Sequence, residues 1–353
     1  MPDTFELERT EGLEPLMRGA RNAAGSCLSV GSQDTVTLLC DEKSTRVGAA
    51  LLAAAKERGA VVHTFVLERH APRPADRLPS GVVRSLHDST VSIYAVHPLD
   101  GETPHRIELL DMVIPLRLRH AHMVRITEDA MQQGMLSDYR RVARLNEIMI
   151  RKVSAAREIR VTGPKGTDVR VELDPREPWD SSAGVIEPGH WHNLPNGEIL
   201  TCPERVDGLF VCDGIAPTIR QVDRFEIGMR PLRIEIAEGK LVAISGGPGD
   251  LAPQVEKNLI EGKNTDRIGM FAVGTNFDLL MTIGDPIQDL FVPGAYFSFG
   301  RSPGTGTYAP RWTSSAQYTF TARQTSLLLD GKAVIEDGRY APDILASTED
   351  NQR

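Results

Sequence analysis

Two kinds of apolar pattern divide the chain. Over residues 34–68 a short β-branched run, "TVTLLC", is followed by "TRVGAALLAAAKERG" and then by "AVVHTFVL". In the middle piece Val47, Leu51, Leu52 and Ala55 fall on one helical face, and Gly59 is placed to end the helix. The flanking runs read as buried strands, so the stretch predicts a strand–helix–strand unit on a parallel sheet. "LDMVIPLRL" at 110–118 reads as a further strand. "SDYRRVARLNEIMIRKVSAAREI" at 137–159 carries Val142, Leu145, Ile148 and Val153 at helical spacing and predicts an amphipathic helix.

After this helix strand and turn alternate. "IRVTG" and "TDVRVEL" flank a "PKG" turn, while "LRIEIAEGKLVAISGG" and "SLLLDGKAVIEDG" read as strand pairs around "EGK" and "DGK". "DLAPQVEKNLIEG" predicts a helix. The expected fold is α/β: a small parallel-sheet N-terminal domain at 1–155, a mixed, largely antiparallel α+β domain at 156–345, and a frayed tail at 346–353. A chain of 353 residues suits two domains, at roughly 150 residues each.

Charge and composition narrow the function. The formal net charge is −8, which disfavours nucleic acid and anionic membrane as partners. Aromatic residues make up only 5%, too few for a large base-stacking surface. Cys27, Cys40, Cys202 and Cys212 include no C-x-x-C pair, and the expectation is reduced thiols in a cytoplasmic protein. The N-terminus has no apolar signal core, and no apolar run is long enough to cross a membrane. "CDEKST", after the first strand, lacks a glycine-rich phosphate cradle, so no dinucleotide fingerprint is present.

The blocks "GTDVRVEL", "PGHWHNLPNGEILTCPERVDGLFVCDG", "IGMFAVGTNFD", "GAYFSFG", "SAQYTFT" and "LLLDGKAVIEDG" follow one another in the order of a known group. The region 155–342 resembles the superfamily of thermophilic metallo-aminopeptidases of the aminopeptidase T type, which also holds the non-haem-iron 2,5-dihydroxypyridine dioxygenases. The resemblance implies a metal centre of carboxylates and histidines, and a homodimer. Glu198, in "NLPNGE", stands at one expected ligand position. At the others this chain has Met270, Tyr296, Gln317 and Thr319. Methionine, glutamine and threonine are poor ligands for a hard or borderline divalent ion, and tyrosine is seldom one. No metal and no cofactor is therefore expected. The four replacements become candidates for binding a small organic molecule.

His190 and His192, just before "NLPNGE", open two readings. With Glu198 they would supply two histidines and one carboxylate, an arrangement known for iron(II), and thus one divalent metal as the alternative cofactor. Gly189 and Pro195 instead predict a loop, on which the histidines need not share a face. The favoured reading is metal-free acid/base chemistry by Glu198 with His190 or His192 as proton partner. The glycine-rich segment 300–315 is a candidate lid bringing Tyr308, Arg311 and Trp312 to the ligand, with Arg311 suited to a carboxylate. "RHAHM" at 119–123 reads as a strand end, and Asp285 and Asp289 as a solvated helix face.

Three functions follow as expectations. The first is an aminopeptidase-like enzyme that acts without a metal on a small amide, amino-acid-derived or ring-containing substrate, in specialised metabolism. The second is a metal-dependent hydrolase or ring-cleaving dioxygenase with rearranged ligands. The third is a non-catalytic binding protein.

Overall fold

The computed structural model describes residues 3–216, 224–285, 287–303, 311–314 and 316–349. In chain order the strands are β1 (Thr35–Cys40), β2 (Val61–Val66), β3 (Val91–Ala95), β4 (Arg119–His122), β5 (Ile159–Thr162), β6 (Asp168–Glu172), β7 (Asp180–Ser182), β8 (His190–Asn193) and β9 (Glu198–Thr201). They continue as β10 (Arg205–Cys212), β11 (Leu232–Ala237), β12 (Lys240–Gly246), β13 (Ile268–Gly274), β14 (Gly294–Gly300), β15 (Gln317–Thr321), β16 (Ser326–Leu329), β17 (Lys332–Glu336) and β18 (Arg339–Tyr340). The fold is mixed α/β, with one parallel sheet and two antiparallel ones. Among the described residues no helix is long and apolar enough to cross a membrane.

The chain forms two compact units: Met1–Arg140 with Ala183–Asn196, and Arg141–Ser182 with Gly197–Arg353. The division differs from a single boundary at 155/156 for two physical reasons. The Tyr139–Ala155 helix places Leu145, Met149 and Val153 in the core of the second unit. The chain then returns at 183–196 to add β8 to the first unit's sheet.

The first unit is a parallel sheet of order β2-β1-β3-β4-β8. Its strand–helix–strand start is as the apolar pattern predicts, with the Thr45–Glu57 helix between β1 and β2. Order reverses between β1 and β3, the place where open parallel sheets bind ligands beyond their C-terminal ends. Here Arg73 fills that crevice. Its guanidinium holds Glu102 through both carboxylate oxygens, at 2.8 and 2.5 Å, Glu68 at 2.6 Å, Asp41 at 3.3 Å, and the His97 carbonyl at 2.9 Å.

Three local expectations change in this unit. "LDMVIP" is not a strand but the end of the Thr103–Val113 helix. Pro104 in its first turn suits a helix start, and Leu109 and Val113 are buried one turn apart. Ile107 and Ile114 are exposed, so apolar residues surround the helix and blur its period. "RHAH" is the buried strand β4 rather than a solvated strand end. "HWHN" is strand β8 rather than a loop, because it pairs along the free edge of β4.

In the second unit an eight-stranded sheet of order β12-β11-β10-β6-β5-β16-β17-β18 faces a five-stranded one of order β15-β14-β13-β9-β7. The "EGK" and "DGK" hairpins form as predicted: Glu238 and Gly239, and Asp330 and Gly331, all have positive φ, as tight two-residue turns require. Strand period sorts the smaller sheet. Ile199, Phe271, Val273, Phe297, Phe299 and Phe320 point into the core. Burying each stabilises the unit by roughly 1.5–3 kcal/mol. The alternate residues therefore share the opposite face.

Candidate functional site

That opposite face collects the positions that the sequence singled out. Register aligns Glu198 with Gly274 and Gly294, Leu200 with Ala272, Tyr296 and Thr321, and Met270 with Ser298 and Thr319. Gln317 lies at the end of the same row set, opposite Gly300. Glu198, Met270, Tyr296, Gln317 and Thr319 therefore share one sheet face.

Backbone constraints fix Glu198 at its place. Gly197 has φ +139°, and a Cβ there would come within 2.7 Å of the Asn276 Cβ, so the "NGE" glycine has no substitute. Its carbonyl accepts from the Thr275 amide at 2.8 Å. Asn146, fully buried on the Tyr139–Ala155 helix, donates to the Glu198 carbonyl at 2.8 Å and to Ser181 Oγ at 3.0 Å, and accepts from Thr275 at a short distance. Asn146 went unnoticed in the sequence, although an asparagine within the stripe of Val142, Leu145 and Met149 is a signal of such a role.

The Tyr296 hydroxyl donates to Glu198 Oε2 in a short hydrogen bond. Ala272 and Gly274, the β13 residues between the two strands, leave a lane almost free of side chains for the tyrosine to cross. Burial pushes the Glu198 carboxyl up to about 7, and the Tyr296 bond offsets only part of this. Burial and the neighbouring Glu198 hold the Tyr296 hydroxyl well above its usual range, so the phenol keeps its proton. The rest of the face is quieter. Gln317 Nε2 lies 3.8 Å from Met270 Sδ, and Thr319 shares a 2.7 Å hydrogen bond with Ser298.

A cavity of about 490 Å³ opens in this unit, within the range of small-molecule sites. Tyr296 is the one predicted residue, among those described, that lines it. Thr321, Asp213, Asp289, Arg323 and Arg339 also line the cavity and were not anticipated as binding residues. Thr321 had a visible signal, lying two residues beyond Thr319 on the same strand face. Asp285 and Asp289 are buried rather than a solvated helix face. Each bends a tight turn, Asp285 accepting from the amides of Ile287 and Gln288, and Asp289 from those of Ile283 and Gly284.

The lid expectation divides. Tyr308 lies outside the described residues. Arg311 is committed to Glu204 at 2.8 Å and Glu177 at 3.5 Å rather than left for a ligand carboxylate. Trp312 is pinned through its indole N–H to the Gly300 carbonyl at 2.7 Å and lies beneath Arg267, 4.7 Å from the ring centre. Cys202 is buried, and its thiol is pushed up to about 11, far from a reactive thiolate.

His190 and His192 belong to the first unit, Glu198 to the second. The two H-x-H sequences lie side by side, but one residue out of step. His120 pairs with Trp191 and His122 with Asn193, while His190 and His192 pair with Arg119 and Ala121. Two histidines therefore face each side of the sheet. Burial, and then His190, lower His192 to about 4. Among the described residues no three His, Cys, Asp or Glu side chains group so as to hold a metal ion.

Residues 21–268, well over half of the chain, match the family model for 2,5-dihydroxypyridine 5,6-dioxygenase. The chain belongs to that family. Its fold is similar to that of the 2,5-dihydroxypyridine dioxygenase from Pseudomonas putida KT2440, at 18% identity and a TM-score of 0.65, over 94% of this chain and 99% of that one. It is equally similar to wild-type AmpT from Thermus thermophilus, at 14% identity and a TM-score of 0.65, over 93% and 99%. No curated protein sequence matches significantly. A dioxygenase of this superfamily implies a bound metal. The face with Glu198 offers one carboxylate, already engaged by a phenol, beside methionine, glutamine and threonine. That donor set does not fit a hard or borderline divalent ion.

Proposed function

We propose that this family member is an enzyme in which the Tyr296–Glu198 pair performs acid/base chemistry on a small organic molecule, with no divalent metal. The observations that support the reading are the buried hydrogen bond between them and the place of Tyr296 in the lining of the 490 Å³ cavity. A molecule in the cavity meets Tyr296, and Glu198 stands one hydrogen bond further on. A proton taken from the molecule by Tyr296 Oη is balanced by transfer of the tyrosine's own proton to Glu198, and the reverse path returns it. A carboxyl raised to about 7 is matched to such transfers at neutral pH. Small amide, amino-acid-derived or ring-containing molecules suit the cavity's size and its mixture of polar and apolar walls. His190 and His192 have no role in this step.

The test is a turnover screen of hydroxypyridines, including 2,5-dihydroxypyridine, and amino-acid anilides, with and without a chelator. Turnover that survives the chelator and falls by ~10²–10⁴ in both Glu198→Gln and Tyr296→Phe is the expected result. Turnover that needs added metal overturns it. That outcome would favour a ring-cleaving dioxygenase, the reading that the family match supports. Binding with no turnover of any compound would favour a non-catalytic role.

A further inference from the structure

The first unit contains an unbalanced cation framed by rings, separate from the Tyr296–Glu198 pair. Arg106, on the Thr103–Val113 helix, donates from Nη2 to His122 Nε2 at 3.1 Å. Guanidinium can only donate, so His122 must carry its proton on Nδ1 and pass it toward His120 Nε2, at 3.1 Å. His120 in turn presents its Nδ1 proton to Ser92 Oγ at 2.8 Å. The whole chain runs outward from Arg106, and both imidazoles in it are neutral. No ion pair to a carboxylate offsets Arg106 among the described residues, since Glu102, one turn before it, is held bidentately by Arg73. The Arg106 Nε–H is buried and has no acceptor.

The rings around this cation are fixed. His122 stacks on Tyr94, centroids 5.2 Å apart and planes within 10°. Its edge meets Trp191 at 5.6 Å. Trp191 is 42% exposed, a large aromatic surface left open against the ring that accepts from Arg106. His122 and Asn193 are the last residues of β4 and β8, so these groups lie at the C-terminal edge of the parallel sheet, where such sheets bind ligands.

We propose that Arg106 and Trp191 form a binding site for a flat organic anion, an aromatic or heteroaromatic carboxylate. The carboxylate takes the unused N–H donors of Arg106 in a paired geometry, and the ring lies against Trp191. Two features give the site its selectivity. The cation has no carboxylate partner to displace, and the indole meets the edge of His122, a ring itself stacked on Tyr94.

Calorimetric titration of the full chain with benzoate and with nicotinate tests this, with benzamide as the uncharged control. Saturable binding of either carboxylate, at least tenfold weaker in Arg106→Gln and in Trp191→Leu, with benzamide not binding, is expected. Arg106→Lys keeps the charge but not the fork, and should lose part of the affinity. Trp191 is exposed, so Trp191→Leu reports on the site even if Arg106→Gln fails to fold. Carboxylate affinities unchanged in Trp191→Leu, equal affinity for benzamide, or no saturable binding would overturn the proposal.

Discussion

The hydroxyl of Tyr296 crosses over Ala272 and Gly274 to end on the carboxylate of Glu198, so a β14 residue and a β9 residue meet over an almost bare central strand. The contact ties stability to pH. In the folded protein Glu198 titrates at about 7, against an ordinary value of 4.5, because burial disfavours its charge. The folded state therefore binds the extra proton. This contribution to stability is complete below pH 4.5 and is lost as pH rises through 7. The loss is of the order of 3 kcal/mol at pH 8. Glu198→Gln should thus melt higher than the parent protein at pH 8, with the gap closing toward pH 5. Tyr296→Phe should move the Glu198 titration above 7, as read by carboxyl carbon NMR. A Glu198 that titrates near 4.5 would show that burial does not govern it.

The bare lane depends on Gly274. A Cβ there would come within 2.1 Å of the Val292 carbonyl oxygen. Gly274→Ala should therefore destabilise the second unit by ~1–3 kcal/mol through forced backbone shifts, seen as a lower midpoint in urea. A midpoint equal to that of the parent would mean that the segment at Val292 moves aside freely.

These residues are legible in the sequence to different degrees. "NLPNGE", "MFAVG", "YFSFG" and "QYTF" are short blocks whose alternate residues share a face within each strand, while the grouping of Glu198, Met270, Tyr296, Gln317 and Thr319 across strands comes from the family resemblance. What the strand period cannot give is reach. The bond from Tyr296 to Glu198 depends on small residues in a third strand. The histidines show the opposite case: Gly189 and Pro195 argue for a loop, yet His190–Asn193 becomes a strand because β4 offers it a free edge. That pairing is between residues about 70 apart in the chain, beyond any local pattern. The "LDMVIP" helix was hidden because its apolar residues surround it.

Arg73 carries a separate prediction. It is the shared partner of Glu102 and Asp41, both buried, and of Glu68. Its side chain holds Glu102 down to about 2 against burial, which pulls the other way. Arg73→Ala would leave buried carboxylates without a cation. A loss of ~3–5 kcal/mol is expected, larger than for a surface pair. Arg73→Ala should also leave a strong pH dependence, with part of the stability recovered near pH 5 as the carboxyls take up protons. A loss below 1 kcal/mol, roughly the value of an exposed pair, would mean that the network is solvated.

The buried histidines set the behaviour in acid. Burial lowers His120 to about 3, His192 to about 4 and His122 well below its ordinary 6.5. The unfolded chain binds protons at these three rings once pH drops below 6.5, and the folded chain does not. Stability therefore falls as pH decreases from 6.5, in a window where depressed carboxylates such as Glu102 remain ionised in the folded state. Each ring contributes about 1.4 kcal/mol per pH unit. Glu198 acts with opposite sign over the same range and cancels one of the three, leaving a slope of roughly 3 kcal/mol per pH unit near pH 5.5. His105, also lowered by burial, adds to it. Urea denaturation at about pH 8, 6.5, 5.5 and 4.5 should show a steep decline only below about pH 6.5. His192→Gln should make that decline shallower by about one proton. A flat profile across this range would mean that the rings are charged inside the fold, and the outward hydrogen-bond chain from Arg106 would then be wrong.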